Sequence, residues 1–188
     1  MLENIRPEDR VLELGCGYGR VLAKMAAKAN LAFGIDTARD SLVLGKELLG
    51  AFSNCHLLQM NAIETALSDG LFDVTACIQN GVSAFKVDPL ALTRESLRVT
   101  RPGGTILFSS YSDKFWSHRL EWFQLQAEEG LLGEIDLEKT GDGIIVCKDG
   151  FRATTLRPAD FLELAGQVGR PAQIIEIDDS SVFCEITV

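Results

Sequence analysis

The chain has 188 residues, enough for one domain with a sizeable core, and its 46% hydrophobic and 24% charged residues are ordinary for a globular protein. Its net charge of −9 disfavours a nucleic acid as the substrate, because a polyanion would be repelled and no window of the sequence is densely basic. The five cysteines are far apart and the two histidines are not clustered, which argues against a metal site and a disulfide framework.

The same features predict where the protein works. No apolar run approaches the length of a membrane span, so we expect no membrane association. Residues 1–9 lack the basic start and apolar stretch of a signal peptide. Scattered cysteines are typical of reduced thiols, and we therefore expect a cytoplasmic protein.

Short β-rich runs alternate with helical patterns along the chain, which predicts an α/β fold with a mostly parallel sheet and helices on both faces. The predicted strands cover residues 10–14, 31–36, 55–60, 72–78, 105–110, 173–177 and 182–188. The predicted helices cover residues 18–29, 38–49, a segment from Asp88-Pro89 to before Pro102, and a segment from Pro158 closed by Gly169. So little chain joins the last two strands that they should form an antiparallel hairpin.

Residues 112–156 are too long for a simple crossover between strands. They begin with apolar side chains at helical spacing, at Trp116, Leu120, Phe123 and Ala127. Two apolar runs then flank an Asp149-Gly150 turn, which predicts a small antiparallel β unit. We expect one domain, residues 1–188, in which this insert acts as a lid over the carboxyl ends of the strands.

A glycine loop follows the first strand, with the sequence Glu13-Leu-Gly15-Cys-Gly17-Tyr-Gly19. A strand, glycines and a helix in this order place backbone N–H groups near a ligand, as nucleotide sites require. A nicotinamide dinucleotide is disfavoured because its G-x-G-x-x-G fingerprint would need a small residue where Arg20 stands. A tight turn without a ligand would not need three alternate glycines.

An acid stands at the end of the second strand. The Asp36 carboxylate could accept hydrogen bonds from both ribose hydroxyls of a nucleotide-like ligand. It could equally cap the helix predicted over residues 38–49. The glycine loop and this acid together predict a nucleotide-like ligand at the carboxyl ends of the first two strands.

The series of motifs resembles the class I S-adenosylmethionine-dependent methyltransferase family over roughly residues 10–111 and 154–188. Residues 11–19 match the first motif of the family and Gly34-Ile-Asp36 its second. Residues 60–64 are similar to its adenine-contacting segment, and residues 97–104 to the approach to its fifth strand. The resemblance implies a Rossmann-like sheet of seven strands in the order 3-2-1-4-5-7-6, with the last strand antiparallel.

The resemblance also implies the cofactor, S-adenosylmethionine (SAM), its product S-adenosylhomocysteine (SAH), and the residues that hold them. Asp36 would bind the ribose, and Asn61 departs from the usual aspartate, although its amide oxygen can still accept a hydrogen bond from adenine. The other implied residues are Glu13, Gly15, Cys16, Gly17 and Gly19 for the methionine end, Thr37, Leu42, Ala62 and Ile63 around the adenine, and Ile78 and Gln79 for the amino group.

The residues after the fourth strand, Gln79 to Ser83, usually shape substrate choice in this family. They lack the signatures of amide and cytosine methylation, and through Asn80 they are loosely similar to small-amine methyltransferases. Asn80 and Tyr111 are the catalytic candidates, although Tyr111 could simply cover the end of the sheet. We expect in-line methyl transfer to a small-molecule N or O nucleophile. A cofactor-binding module without catalysis, a protein methyltransferase and a homodimer stay open.

Overall fold

The computed structural model describes residues 2–188; Met1, the first residue of the predicted domain, lies outside them. The strands are β1 (Arg10–Leu14), β2 (Leu31–Asp36), β3 (Cys55–Gln59), β4 (Phe72–Cys77), β5 (Thr100–Tyr111), β6 (Ile145–Val146), β7 (Arg152–Ala153), β8 (Ala172–Ile177) and β9 (Ser181–Thr187). The α-helices are α1 (Leu22–Ala26), α2 (Arg39–Leu48), α3 (Gly81–Ala84), α4 (Pro89–Val99), α5 (Trp116–Glu128) and α6 (Pro158–Gln167).

Seven of these strands form one sheet in the order β3-β2-β1-β4-β5-β9-β8. The first five pair in parallel, whereas β9 pairs antiparallel to both β5 and β8. The turn from β8 into β9 passes through two left-handed residues, Asp178 and Asp179, each with φ of 51°. The predicted sheet order and the antiparallel hairpin are therefore confirmed.

Helices cover both faces of the sheet. On one face α1 and α2 bury Leu22 and Leu42 in the same apolar cluster as Val11 of β1. On the other face, Leu92 of α4 and Phe161 of α6 pack in a cluster that also contains Leu12, Phe108 and Ile106. Because both faces are covered, the central strands β1 and β4 are buried along nearly their whole length rather than at alternate positions.

Two elements begin several residues away from their predicted starts. Helix α1 begins at Leu22, not at residue 18, because Gly19 has a φ of +87° that a right-handed helix cannot contain. Strand β5 begins at Thr100, directly after α4, so it includes the end of the predicted helix and also Pro102–Gly104, which the sequence assigned to a break between the two. The register between β4 and β5 shifts between Phe72 and Val74, which accommodates this irregular stretch of β5. Helix α3 has four residues, too few to show a period in the sequence.

The insert has the predicted helix, α5, and a separate two-stranded sheet of β6 and β7. Its small apolar core contains Phe123, Ile135, Ile145 and Cys147. The guanidinium of Arg119 on α5 is 1% exposed and donates to the carbonyls of Gly143 (2.8 Å) and Thr154 (3.3 Å). This side chain therefore ties α5 to the segments on either side of the small sheet. No helix within residues 2–188 is long and apolar enough to cross a membrane.

A polar network fixes the loop between β3 and β4, which carries one side of the candidate site. Arg98 of α4 donates to both oxygens of Glu95, at 2.9 and 2.7 Å, and to the carbonyl of Leu67 at 2.8 Å. Glu95 also accepts the Thr65 N–H at 2.7 Å. The hydrogen bond from Arg98 lowers the pKa of Glu95 to about 2, and those from Thr65 act in the same direction.

We expect Arg98→Met to lower the free energy of unfolding by about 2 kcal/mol at pH 7, because Glu95 then loses its charged donor while remaining largely buried. Since the pKa of folded Glu95 is below its ordinary value, its contribution is present at neutral pH and is lost as the pH falls from about 4.5 to about 2. Urea unfolding at pH 7 and pH 3 measures both effects. The control is Arg39→Met on α2, and equal stability of the two variants at pH 7 would contradict the prediction.

Candidate active site

The glycine loop between β1 and α1 is held against the end of β2. Gly15, Gly17 and Gly19 have φ angles of +70°, +54° and +87°, a region that other residues rarely adopt. The Gly17 N–H donates to one carboxylate oxygen of Asp36 at 2.8 Å, and the Ala38 N–H donates to the other at 2.8 Å. Asp36 thus supports the loop and the start of α2 at once, and each oxygen keeps capacity to accept a ligand hydroxyl.

One cavity, of about 290 Å³, lies at the carboxyl end of β2. It brings together four residues that the sequence assigned to the adenosine end of the cofactor, from two separate loops: Asp36, Thr37, Asn61 and Ala62. The amide oxygen of Asn61 accepts the Ile63 N–H at 3.2 Å, which leaves one acceptor position for a ligand. The remaining lining residues are Gly15, Ile35, Met60, Phe85 and Val87.

A second cavity, of about 260 Å³, lies on the other side of the loop. It brings together residues from the ends of β1 and β4 that were assigned to the methionine end: Glu13, Gly15, Cys16, Gly17, Ile78 and Gln79. Arg20, whose bulk argued against a dinucleotide, also lines it. The linings of the two cavities share Gly15, so the cavities adjoin and together form a groove, divided at Gly15, along the ends of three neighbouring strands.

Three assigned residues lie outside both cavities. The φ of +87° at Gly19 favours glycine, and a Cβ atom there would also lie 2.5 Å from Cδ1 of Leu49, the residue after α2. Leu42 is buried in the cluster beneath the loop, 6% exposed, and Ile63 packs against the opposite cluster. The structure therefore places these three residues in packing positions rather than in the cavities.

Glu13 is the most perturbed acid of the site. It is 4% exposed; one oxygen takes a hydrogen bond from the Leu22 backbone, and within residues 2–188 its Oε2 has no hydrogen-bond partner. Burial raises the pKa of Glu13 to about 8, and the nearby Asp36 charge adds to this rise. A buried acceptor without a partner beside a cavity favours a ligand that brings a donor or a positive charge.

Cys16 lies under the loop, where its sulfur faces the backbone of Gly34: a Cβ atom on Gly34 would lie 2.7 Å from it. Burial raises the pKa of this thiol to about 12, with Glu13 contributing in the same direction. The thiol is therefore neutral at physiological pH.

The two catalytic candidates are both engaged in contacts within the chain. The Asn80 amide donates to the Thr154 carbonyl at 2.9 Å and accepts the Ser110 hydroxyl at 2.7 Å. Tyr111 stacks on Phe115, and the Arg119 guanidinium lies 4.9 Å from its ring. Burial raises the pKa of Tyr111, which keeps its hydroxyl protonated at neutral pH. Neither side chain lines the two cavities.

Three apolar lining residues were not assigned to the cofactor from the sequence. Met60 and Val87 line the first cavity, and Phe85 lines both. Isolated apolar residues in loops carry no periodicity, so only their positions next to Asn61 and after the fourth strand could have suggested them.

The sequence model of a protein family described as a methyltransferase domain matches residues 11–104. The chain belongs to this class I S-adenosylmethionine-dependent methyltransferase family. Among curated proteins, this chain is 31% identical over 110 residues to the demethylmenaquinone methyltransferase of Bacillus subtilis, covering 55% of the chain and 46% of that protein. It is 29% identical over 140 residues to the arsenite methyltransferase of Aquipseudomonas alcaligenes, covering 66% and 38%. The chain thus spans less than half the length of these curated relatives.

Solved structures show the same fold. The crystal structure of a SAM-dependent methyltransferase from Methanosarcina mazei matches with a TM-score of 0.73 over 99% of this chain and 95% of that one, at 16% identity. The fold of the methyltransferase chain therefore extends beyond residue 104, where the family model ends, to β8 and β9.

Glu13 predicts an unusual dependence of stability on pH. Its pKa is about 8 in the folded chain and near 4.5 when unfolded, so the folded state binds a proton that the unfolded state has released across this interval. The free energy of unfolding should fall as pH rises from 5 to 8, by up to about 4 kcal/mol from this group. Glu13→Gln cannot ionise and should lack this fall. Urea unfolding of both proteins at pH 5 and pH 8 measures the difference, and parallel pH profiles would refute it.

Proposed function

We propose that the chain binds SAM along the groove and transfers its methyl group to a nitrogen or oxygen of a small molecule. The observation that carries this proposal is the position of two carboxylates, Glu13 and Asp36, on either side of Gly15 at the ends of adjacent strands. A ligand with hydroxyls at one end and positive charge at the other fits this arrangement.

The first cavity fits the adenosine end. Asp36 would accept the ribose hydroxyls, and Thr37, Asn61 and Ala62 would surround the base. Met60 and Val87 add the apolar surface that a planar aromatic ring needs.

The second cavity fits the methionine end. The Oε2 atom of Glu13, which has no partner among residues 2–188, would accept a hydrogen bond from the ammonium group of the cofactor. A cation at this place favours the ionised form of the Glu13 carboxylate. The backbone at Ile78 and Gln79 lies on the same cavity, and Arg20 offers a positive charge for the cofactor carboxylate.

When bound, SAM supplies an electrophilic methyl group on a cationic sulfur. The chain would contribute alignment of an incoming nucleophile, which converts an encounter between two molecules into a reaction within one complex. Asn80 and Tyr111 would position the methyl acceptor. The Asn80 amide is held by Thr154 of the insert and by Ser110 of β5, and the Tyr111 ring lies against Arg119 of the insert. An amine acceptor attacks as a neutral nucleophile and needs little help from a base.

A small acceptor is supported by the net charge of −9, which opposes a nucleic acid. We further propose that residues 112–156 form a lid that selects the acceptor, because Asn80 and Arg119 both donate to the Thr154 carbonyl and so join the insert to the loop after β4. Free thiols at all five cysteines support a cytoplasmic location.

Calorimetry with SAH tests the cofactor site. We expect SAH to bind and Asp36→Asn to weaken its binding by on the order of 2–4 kcal/mol, because one or two hydrogen bonds to a charged acceptor are lost. The matched control is Asp40→Asn, an exposed acid on α2 outside both cavities. Binding of NAD in place of SAH would overturn the proposal, and unchanged affinity in Asp36→Asn would remove Asp36 from the ribose site.

A labelled-methyl screen over amines, phenols and carboxylates identifies the acceptor. For any acceptor found, we expect Arg119→Met to raise its KM while the Kd for SAH stays the same, because the change releases the insert and leaves the cofactor groove intact. Arg94→Met, at an exposed position on α4, is the control. An unchanged KM in the Arg119 variant would argue against the lid.

A further inference from the structure

The ring of Phe85 lies between the two cavities. Gly15 and Phe85 are the residues that their linings share. SAM is one continuous molecule in which the ribose and the sulfur join the adenine to the amino-acid chain. A ligand that fills both cavities must therefore pass the place where Phe85 meets Gly15.

The Phe85 ring packs against Gly15 at the position where any other residue would carry its Cβ atom. A Cβ atom built on Gly15 would overlap the Cζ and Cε1 atoms of the Phe85 ring, and one built on Gly81 would lie 3.0 Å from the same Cζ. Glycine at the end of the first strand leaves room for a ligand to approach the backbone. Here an aromatic side chain of the chain itself takes up that room.

The cavity volumes agree with a divided groove. At about 290 and 260 Å³, each cavity is smaller than the roughly 300–1,000 Å³ of a typical small-molecule site. Taken together, with the ring moved aside, they fall within that range. The groove thus has the right residues for the whole cofactor, but the ring interrupts the space that it needs.

The backbone around Phe85 is held in place, and the side chain lies partly exposed at the edge of the core cluster. Left-handed residues flank this segment, Gln79 and Asn80 before α3 and Lys86 after it, with φ of 56°, 64° and 55°. The Asn80 side chain anchors the first end through the Thr154 carbonyl. Phe85 itself is only half-buried, so a change of rotamer needs no unfolding of its surroundings.

We propose that Phe85 is a gating residue of the cofactor site: its ring divides the groove and must leave the face of Gly15 before SAM or SAH can occupy both cavities. This inference rests on the proposed cofactor site. It makes the open rotamer the binding-competent state, so the measured affinity is the intrinsic affinity reduced by the fraction of molecules with the ring turned away.

Calorimetry and stopped-flow binding of SAH to Phe85→Leu and Phe85→Ala test the proposal. We expect both to bind SAH more tightly, by about tenfold in Phe85→Ala, the factor for an open state populated at roughly 10%. If the ring only lined the site, its removal would take away contacts with SAH, and both variants would bind SAH more weakly. Phe52→Leu, another half-buried phenylalanine outside both cavities, is the control.

The outcomes separate the two proposals. Absence of SAH binding to the unmodified protein would overturn the proposed function, whatever the Phe85 variants do. If the unmodified protein binds SAH and Phe85→Leu, verified as folded by its thermal unfolding, binds it equally or more weakly, the gating role is wrong. A crystal structure of the SAH complex gives an independent reading: we expect the ring to have left Gly15, and a ring still on Gly15 would overturn the inference.

Discussion

The hydrogen bond from the Gly17 N–H to the Asp36 carboxylate is the contact on which the site depends. It joins the loop after β1 to the end of β2, although 19 residues separate the two in sequence. Because the loop is fixed there, Gly15 faces both cavities and Glu13 faces only one. The parallel pairing of β1 with β2 and β4 then brings the other lining residues to the same edge of the sheet.

The electrostatics of the groove follow from burying acids at this edge. Glu13 loses hydration without gaining a full set of partners, and its proton is retained to a pH near 8. A cationic ligand reverses this balance by stabilising the ionised form. Burial therefore disfavours the ionised form of Glu13, and a ligand of positive charge would offset this effect. Strongly perturbed pKa values of this kind cluster at functional sites.

Much of the fold could be predicted from the sequence because its signals are local. Residues 10–14 and 31–36 are short, mostly apolar runs that end at the glycine loop and at Asp36, and both became strands of the sheet with the predicted bounds. Local signals were not sufficient where an element is very short or where its pairing partner is distant in the sequence. Helix α3 has four residues, about one turn and too few to show a helical period, and Pro102–Gly104 joined β5 although their composition disfavours a strand.

The same distinction applies to the site. Asp36, Asn61 and Ala62 could be placed because they follow strands at fixed offsets in this family, and they line one cavity. The surroundings of Asn80 could not be foreseen, because its amide bonds residues 30 and 74 positions away. The contact between Phe85 and Gly15 could not be foreseen either, because it depends on the path of a loop and not on a repeating pattern.

The cysteine inside the glycine loop has a consequence for the chemistry that the loop would serve. Sulfur anions are strong nucleophiles towards methyl groups bound to a cationic sulfur, and Cys16 lines the cavity assigned to the methionine end. Its burial and the adjacent acids hold it as the neutral thiol, with a pKa of about 12. If the proposed methyl transfer takes place, the packing that shapes the loop would also protect the protein from alkylating itself.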